Sequence, residues 1–158
     1  MTPTPIGATN PSAPPQRKVD TLLHHYGLSH THPTNELIHF IAIPAIMLSL
    51  TGLLFALHPA LALAFMAASM VYYARLSWRF TGCMVLGSSV LLAVVDALDA
   101  RGVLVPVSLA VFVVAWIFQF IGHRIEGKKP SFFEDLQYLW VGPLFVLSKV
   151  FLRLGVRW

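Results

Sequence analysis

Four apolar runs decide what this chain can fold into. They extend from Ile38 to Leu57, from Ala60 to about Trp78, from near Cys83 to Asp96–Asp99, and from Val103 to Ile121. A helix needs about 20 mostly apolar residues to cross a bilayer, with roughly 17 as the lower limit. Inside the hydrocarbon its backbone polar groups must be satisfied within the segment, which a helix achieves. The expected fold is therefore all-α, an integral membrane helical bundle of about four transmembrane helices. The third run is the shortest and is weakened by Gly87-Ser88-Ser89. A fifth segment, Leu136 to Leu152, carries Gly142-Pro143 midway and Lys149 near its end. It is expected to be a C-terminal re-entrant or interfacial helix rather than a span. Short linkers throughout favour antiparallel neighbours.

Composition agrees. Only 11% of the 158 residues are charged, against about 25% in soluble domains. Residues 21–158 read as a single transmembrane domain. Residues 1–20, rich in Pro, Thr, Ala and Ser at their start, read as a disordered tail without the pattern of a secretory signal. The lone Cys83 excludes an intramolecular disulfide and a thiolate metal cluster built from this chain alone. The net charge of +4 does not point to nucleic acid, because the basic residues flank apolar segments instead of forming a stripe. The bilayer is the expected partner. With four spans, both termini and the second loop share one side. That side holds Arg17, Lys18, Arg75, Arg79, Arg124, Lys128, Lys129, Lys149, Arg153 and Arg157, leaving Arg101 opposite. Positive residues stay cytoplasmic, so both termini are expected inside. Short loops and an Ala/Leu/Arg-rich composition suggest a bacterial inner membrane, or the endoplasmic reticulum for a eukaryotic source.

The same topology gathers the histidines. Five of the seven lie between His24 and His39, and His123 ends the fourth run, all on the expected cytoplasmic face. Pro33 suits the first turn of a helix. A helix begun there sets Asn35 and His39 at i and i+4, on one face, with His30 just ahead. His123 and Glu126 stand at i and i+3. Two or three imidazoles with a carboxylate suit iron, zinc or manganese, and with open positions they suit non-haem Fe(II) oxygen chemistry. His30, His39 and His123 are the candidate ligands. An H-x-x-E spacing alone is weak evidence, since interfacial histidines also cap helices. His24, His25 and His32 read as solvated residues and His58 as a loop cap. Asp96 and Asp99, beside Arg101, read as a terminal ion pair, and Glu36 as an acid suited to a helix start.

Two stretches carry a family likeness. The first is Tyr26-Gly-Leu-Ser-His30-Thr-His-Pro33-Thr-Asn35-Glu-Leu-Ile-His39, followed by Ile41-Ala-Ile-Pro44; the second is Gln119-Phe-Ile-Gly122-His123-Arg-Ile-Glu126-Gly-Lys-Lys-Pro130, followed by Gly142-Pro143. From about Leu22 onward the chain resembles the membrane 2-hydroxy fatty acid dioxygenase family. Ala42 and Ile43 depart from the small residues usual there. The resemblance implies an Fe2+-dependent α-oxidation in which a 2-hydroxy long-chain fatty acid and O2 give a fatty acid one carbon shorter and CO2. It implies iron on His30, His39 and His123, with Glu126 also in the catalytic set. Asn35, Tyr26, Arg124 and Lys128 are the expected substrate-binding residues, the two cations attracting the carboxylate. A zinc hydrolase built on the same site, or a non-catalytic lipid-binding protein, are the alternatives.

Overall fold

A computed structural model describes residues 17–127 and 138–158 of the chain. The described residues form six helices and no strand. These are α1 (Lys18–Gly27), α2 (Pro33–Leu57), α3 (Pro59–Ala74), α4 (Trp78–Asp99), α5 (Leu104–Ile125) and α6 (Val141–Arg153). Three of them, α2, α4 and α5, are long and apolar enough to cross a membrane. The protein is an integral membrane helical bundle.

The helix boundaries follow from local chemistry. Both His-Pro dipeptides start a helix in the same way. His32 and His58 are extended N-caps whose side chains accept from Thr34 N and Ala60 N, with Pro33 and Pro59 in the first turn. Proline costs little there, since its missing N–H would have had no helical partner. The run beginning at Ala60 stops earlier than expected: α3 has 16 residues, about 24 Å at 1.5 Å per residue, against roughly 30 Å of hydrocarbon. The third run, expected to be the shortest, is instead a 22-residue helix that begins at Trp78. The helix runs unbroken through Gly87-Ser88-Ser89, where Ser89 returns its hydroxyl to the Val85 carbonyl at 2.9 Å. Gly142-Pro143 is likewise no midway break. Both residues sit in the first turn of α6, which at 13 residues is too short to span.

Two cores hold the bundle. Within the apolar layer α2 lies against α5 through Ala42, Ile46, Ala115 and Trp116. At the end where α2 begins and α5 finishes, the short helices α1 and α6 pack on each other. There Val19, Leu23, Tyr26, Leu144, Phe145 and Phe151 meet Tyr73 and Phe80 from the facing ends of α3 and α4. The tail read over residues 1–20 lies outside the described residues as far as residue 16. Within the remainder, α1 begins at Lys18, and Arg17 binds Asp20 at 2.8 Å and the Trp158 carbonyl. At the opposite end Arg101 donates to the Ala97 carbonyl at 2.6 Å, and among the described residues it forms no ion pair with Asp96 or Asp99.

Glycines set the helix spacing. A Cβ on Gly52 would lie 2.3 Å from Ser108 Oγ, and one on Gly122 would lie 2.3 Å from Asn35 Oδ1. The α2–α5 pair therefore closes on a glycine at each end, a contact that close packing of membrane helices favours. Gly142 does the same for α6, whose backbone lies over Ile43.

Candidate metal centre

His30, His39 and His123 are all buried, and one nitrogen from each lies within 4.8 Å of the others. They come from three places: the turn after α1, the second turn of α2 and the last turn of α5. Their ring centroids stand 4.2 Å (His30–His39), 5.0 Å (His39–His123) and 5.6 Å (His30–His123) apart, edge to face. The tautomers of two follow from their partners. His30 Nδ1 lies 2.7 Å from the Tyr26 carbonyl and His39 Nδ1 lies 3.0 Å from the Asn35 carbonyl. A carbonyl only accepts, so each Nδ1 carries the proton and each Nε2 presents a lone pair. His39 Nε2 is buried with no hydrogen-bond partner among the described residues. A buried acceptor in that state is costly, and a cation is the natural partner for it. Nitrogens this close are near the span that two metal–nitrogen bonds of about 2.1 Å reach across one ion.

Glu126 stands behind this set rather than in it. Its Oε1 accepts from Thr31 N at 2.8 Å and from the Thr31 hydroxyl, and its Oε2 accepts from His32 N and Asn35 Nδ2, both at 2.9 Å. Burial works to raise its pKa. The hydrogen bonds from the Thr31 hydroxyl, His32 N, Thr31 N and Asn35 outweigh that and hold it at about 2. The carboxylate thus ties the end of α5 to the start of α2. Thr31 adjoins His30, Asn35 lies one turn before His39, and Glu126 lies one turn beyond His123. One side chain thus bears on the spacing of all three histidines.

The remaining expected residues fall in different places. Tyr26 is buried and stacks on His30, with centroids 4.1 Å apart and planes within 8°. Asn35 is fully buried and belongs to the Glu126 clamp. Arg124 is exposed, and Lys128 lies outside the described residues. His24, His25 and His32 are exposed, as expected, and His58 is the expected cap.

Several contributors carried no role in the sequence reading. Gly122 admits Asn35, and Phe145 packs 5.6 Å from His30. Gln119, one turn before His123, is buried with Oε1 unpartnered among the described residues. It lines a cavity of about 20 Å³ with Tyr26, Ile43, Ile46 and Trp116, room for one water molecule. The i−4 spacing from His123 was the available signal for Gln119. Nothing in the sequence marks which glycine meets which side chain.

A membrane bundle with a buried three-histidine centre at one end is the class of protein these features define. Residues 16–154 match the model of the family described as 2-hydroxy-palmitic acid dioxygenase Mpo1-like, and the chain belongs to that family. It is 30% identical over 136 residues to the 2-hydroxy-palmitic acid dioxygenase MPO1 of Saccharomyces cerevisiae, covering 82% of this chain and 78% of that protein. No solved structure matches the chain.

Proposed function

We propose that this protein is an Fe(II)-dependent dioxygenase that shortens 2-hydroxy fatty acids by one carbon. The observation that carries the reading is the buried triad of His30, His39 and His123, in which one nitrogen of each ring lies within 4.8 Å of the others and two rings have Nδ1 on a backbone carbonyl. The dioxygenase relative named for 2-hydroxy-palmitic acid supports the substrate class. The reaction balances without a further reductant: R–CH(OH)–COOH and O2 give R–COOH, CO2 and H2O. The bond between C1 and C2 breaks, and the four electrons lost by the organic acid reduce O2.

His30, His39 and His123 hold the iron, and iron bound there supplies the redox chemistry that lets O2 react with an organic acid. A three-histidine set of this kind would suit non-haem iron and its oxygen chemistry. The Tyr26 and Asn35 carbonyls keep His30 and His39 in the metal-binding tautomer. Glu126 holds the spacing, and the Tyr26 and Phe145 rings wall His30 from water. The substrate is an amphiphile, so its head reaches the centre at the helix ends while its chain stays among apolar side chains. Both termini and the centre face the cytoplasm in this reading, following the basic residues.

The test uses detergent-purified protein loaded anaerobically with Fe(II), then given 2-hydroxypalmitate labelled at C1 together with O2. Labelled CO2 and the 15-carbon acid are expected from the wild type and not from His123→Ala. Iron-loaded protein that yields neither product at any chain length would sink the proposed reaction.

A further inference from the structure

Gln119 is a buried amide on the apolar helix α5 whose acceptor is left over. It is 4% exposed, and among the described residues its Oε1 has no hydrogen-bond partner. An amide oxygen taken out of water and left unpaired is costly. Methionine or leucine, of similar bulk, would pack α5 against α2 without that cost. The amide therefore points to a donor from outside the chain.

Its position follows from helical register. Gln119 precedes His123 by four residues on α5, and Ile43 follows His39 by four on α2. Each shares a face with its histidine and lies on the bundle side of it, away from the helix ends. Tyr26 stacks on His30 with ring centroids 4.1 Å apart. Gln119, Ile43 and Tyr26 all border the one small cavity of about 20 Å³. That cavity thus lies one turn from His39 and His123 and beside the ring stacked on His30. It has room for a single water-sized group. Ile43 also borders an apolar cavity of about 590 Å³ between α2, α3, α4 and α6, so space for a hydrocarbon chain adjoins the same residue.

A 2-hydroxy acid carries one group of that size, and it can donate. With the carboxylate at the helix ends and the chain running into the bundle, the hydroxyl on C2 is the first group behind the head. We propose that Gln119 Oε1 accepts a hydrogen bond from that hydroxyl, which makes Gln119 a specificity-determining residue for 2-hydroxy acids. This rests on the fatty-acid reading of the site. An acid with no donor at C2 leaves the buried acceptor unpaired, and sites built on such a contact reject the analogue that lacks it. A resident water offers the same O–H chemistry, and the experiment separates the two.

Binding is measured on full-length protein in nonionic detergent, with Fe(II) and without O2, so that no turnover occurs. The ligands are 2-hydroxyhexadecanoate and 2-fluorohexadecanoate, since fluorine is close to hydroxyl in size but cannot donate. Wild type is compared with Gln119→Met, which keeps the length and removes the amide, and with Ile46→Val, which widens the same cavity and leaves the amide. Wild type prefers the hydroxy acid, and Gln119→Met lowers the ratio of the two affinities about tenfold with its Fe(II) content unchanged. Ile46→Val keeps the ratio within about twofold of wild type. A wild-type ratio in Gln119→Met overturns the assignment, because the amide then holds only a water. Loss of iron by Gln119→Met, or an equal change in Ile46→Val, overturns it as well, since Gln119 then acts through His123 or through cavity shape. The expected ratios with no shortened acid once O2 is admitted would count against the dioxygenase reading and leave Gln119 in place.

Discussion

At the scale of single residues, Glu126 organises the three-histidine centre from one side, through residues that adjoin His30 and precede His39. Four donors converge on its carboxylate, one from a segment next to His30 and one from a side chain a turn before His39. Glu126→Ala leaves those donors without their acceptor, and we expect metal affinity to fall about tenfold or more, the cost typical of outer-shell partners. Titration of the metal-free protein with Fe(II) or Co(II) measures this. The low pKa also has a sign. Glu126 is held at about 2 against an ordinary 4.5, so its contribution to stability is complete above pH 4.5 and is lost as pH falls toward 2. Wild type should lose more thermal stability than Glu126→Gln between those limits, and parallel losses would show that Glu126 does not carry the pH dependence. His30, His39 and His123 were legible in the sequence because hydropathy and charge put them on one face. Lys149 was legible only as a charge that argued against a fifth span. Its pairing with Glu36 needs the antiparallel register of α2 and α6, which no spacing along the chain encodes.

Among the helices, the decisive contact is α2 on α5. Gly52 and Gly122 each let the helices approach closer than an alanine permits, but they sit at different ends. Gly52→Ala and Gly122→Ala should each cost about 1–3 kcal/mol, the usual range for overpacking. Their functional effects should separate. Gly122→Ala pushes on Asn35, which holds Glu126, and should abolish metal binding in the folded fraction. Gly52→Ala meets Ser108 and Leu104 and should leave metal affinity within about twofold, a lower tenfold step being 1.4 kcal/mol. Equal losses of metal would contradict the separation. The spans themselves were readable because hydrocarbon demands length and apolarity together. Their ends were not. Trp78-Arg79-Phe80-Thr81 looks polar to a hydropathy window, yet it is the first turn of α4, with Phe80 buried against Phe151 and Trp158. Helix α1 escaped notice for a related reason: ten residues with buried Val19, Leu23 and Tyr26 are too short to register as a span and too polar to register as apolar.

On the scale of the whole molecule, the bundle is built in two parts with different tasks. The apolar layer fixes α2 and α5, which carry His39 and His123. The cap made by α1 and α6 brings His30 down onto them, through the Tyr26 stack and the Phe145 contact. The three-histidine centre therefore exists only when both parts are in place. We propose that three histidines from these two parts hold one iron. The most direct measurement is the iron content of purified, anaerobically reconstituted protein, taken beside His39→Ala with helix content checked by circular dichroism. One Fe(II) is expected to be retained per wild-type chain and none by the folded variant. Iron retained equally by His39→Ala, or no iron retained by the wild type, would contradict it.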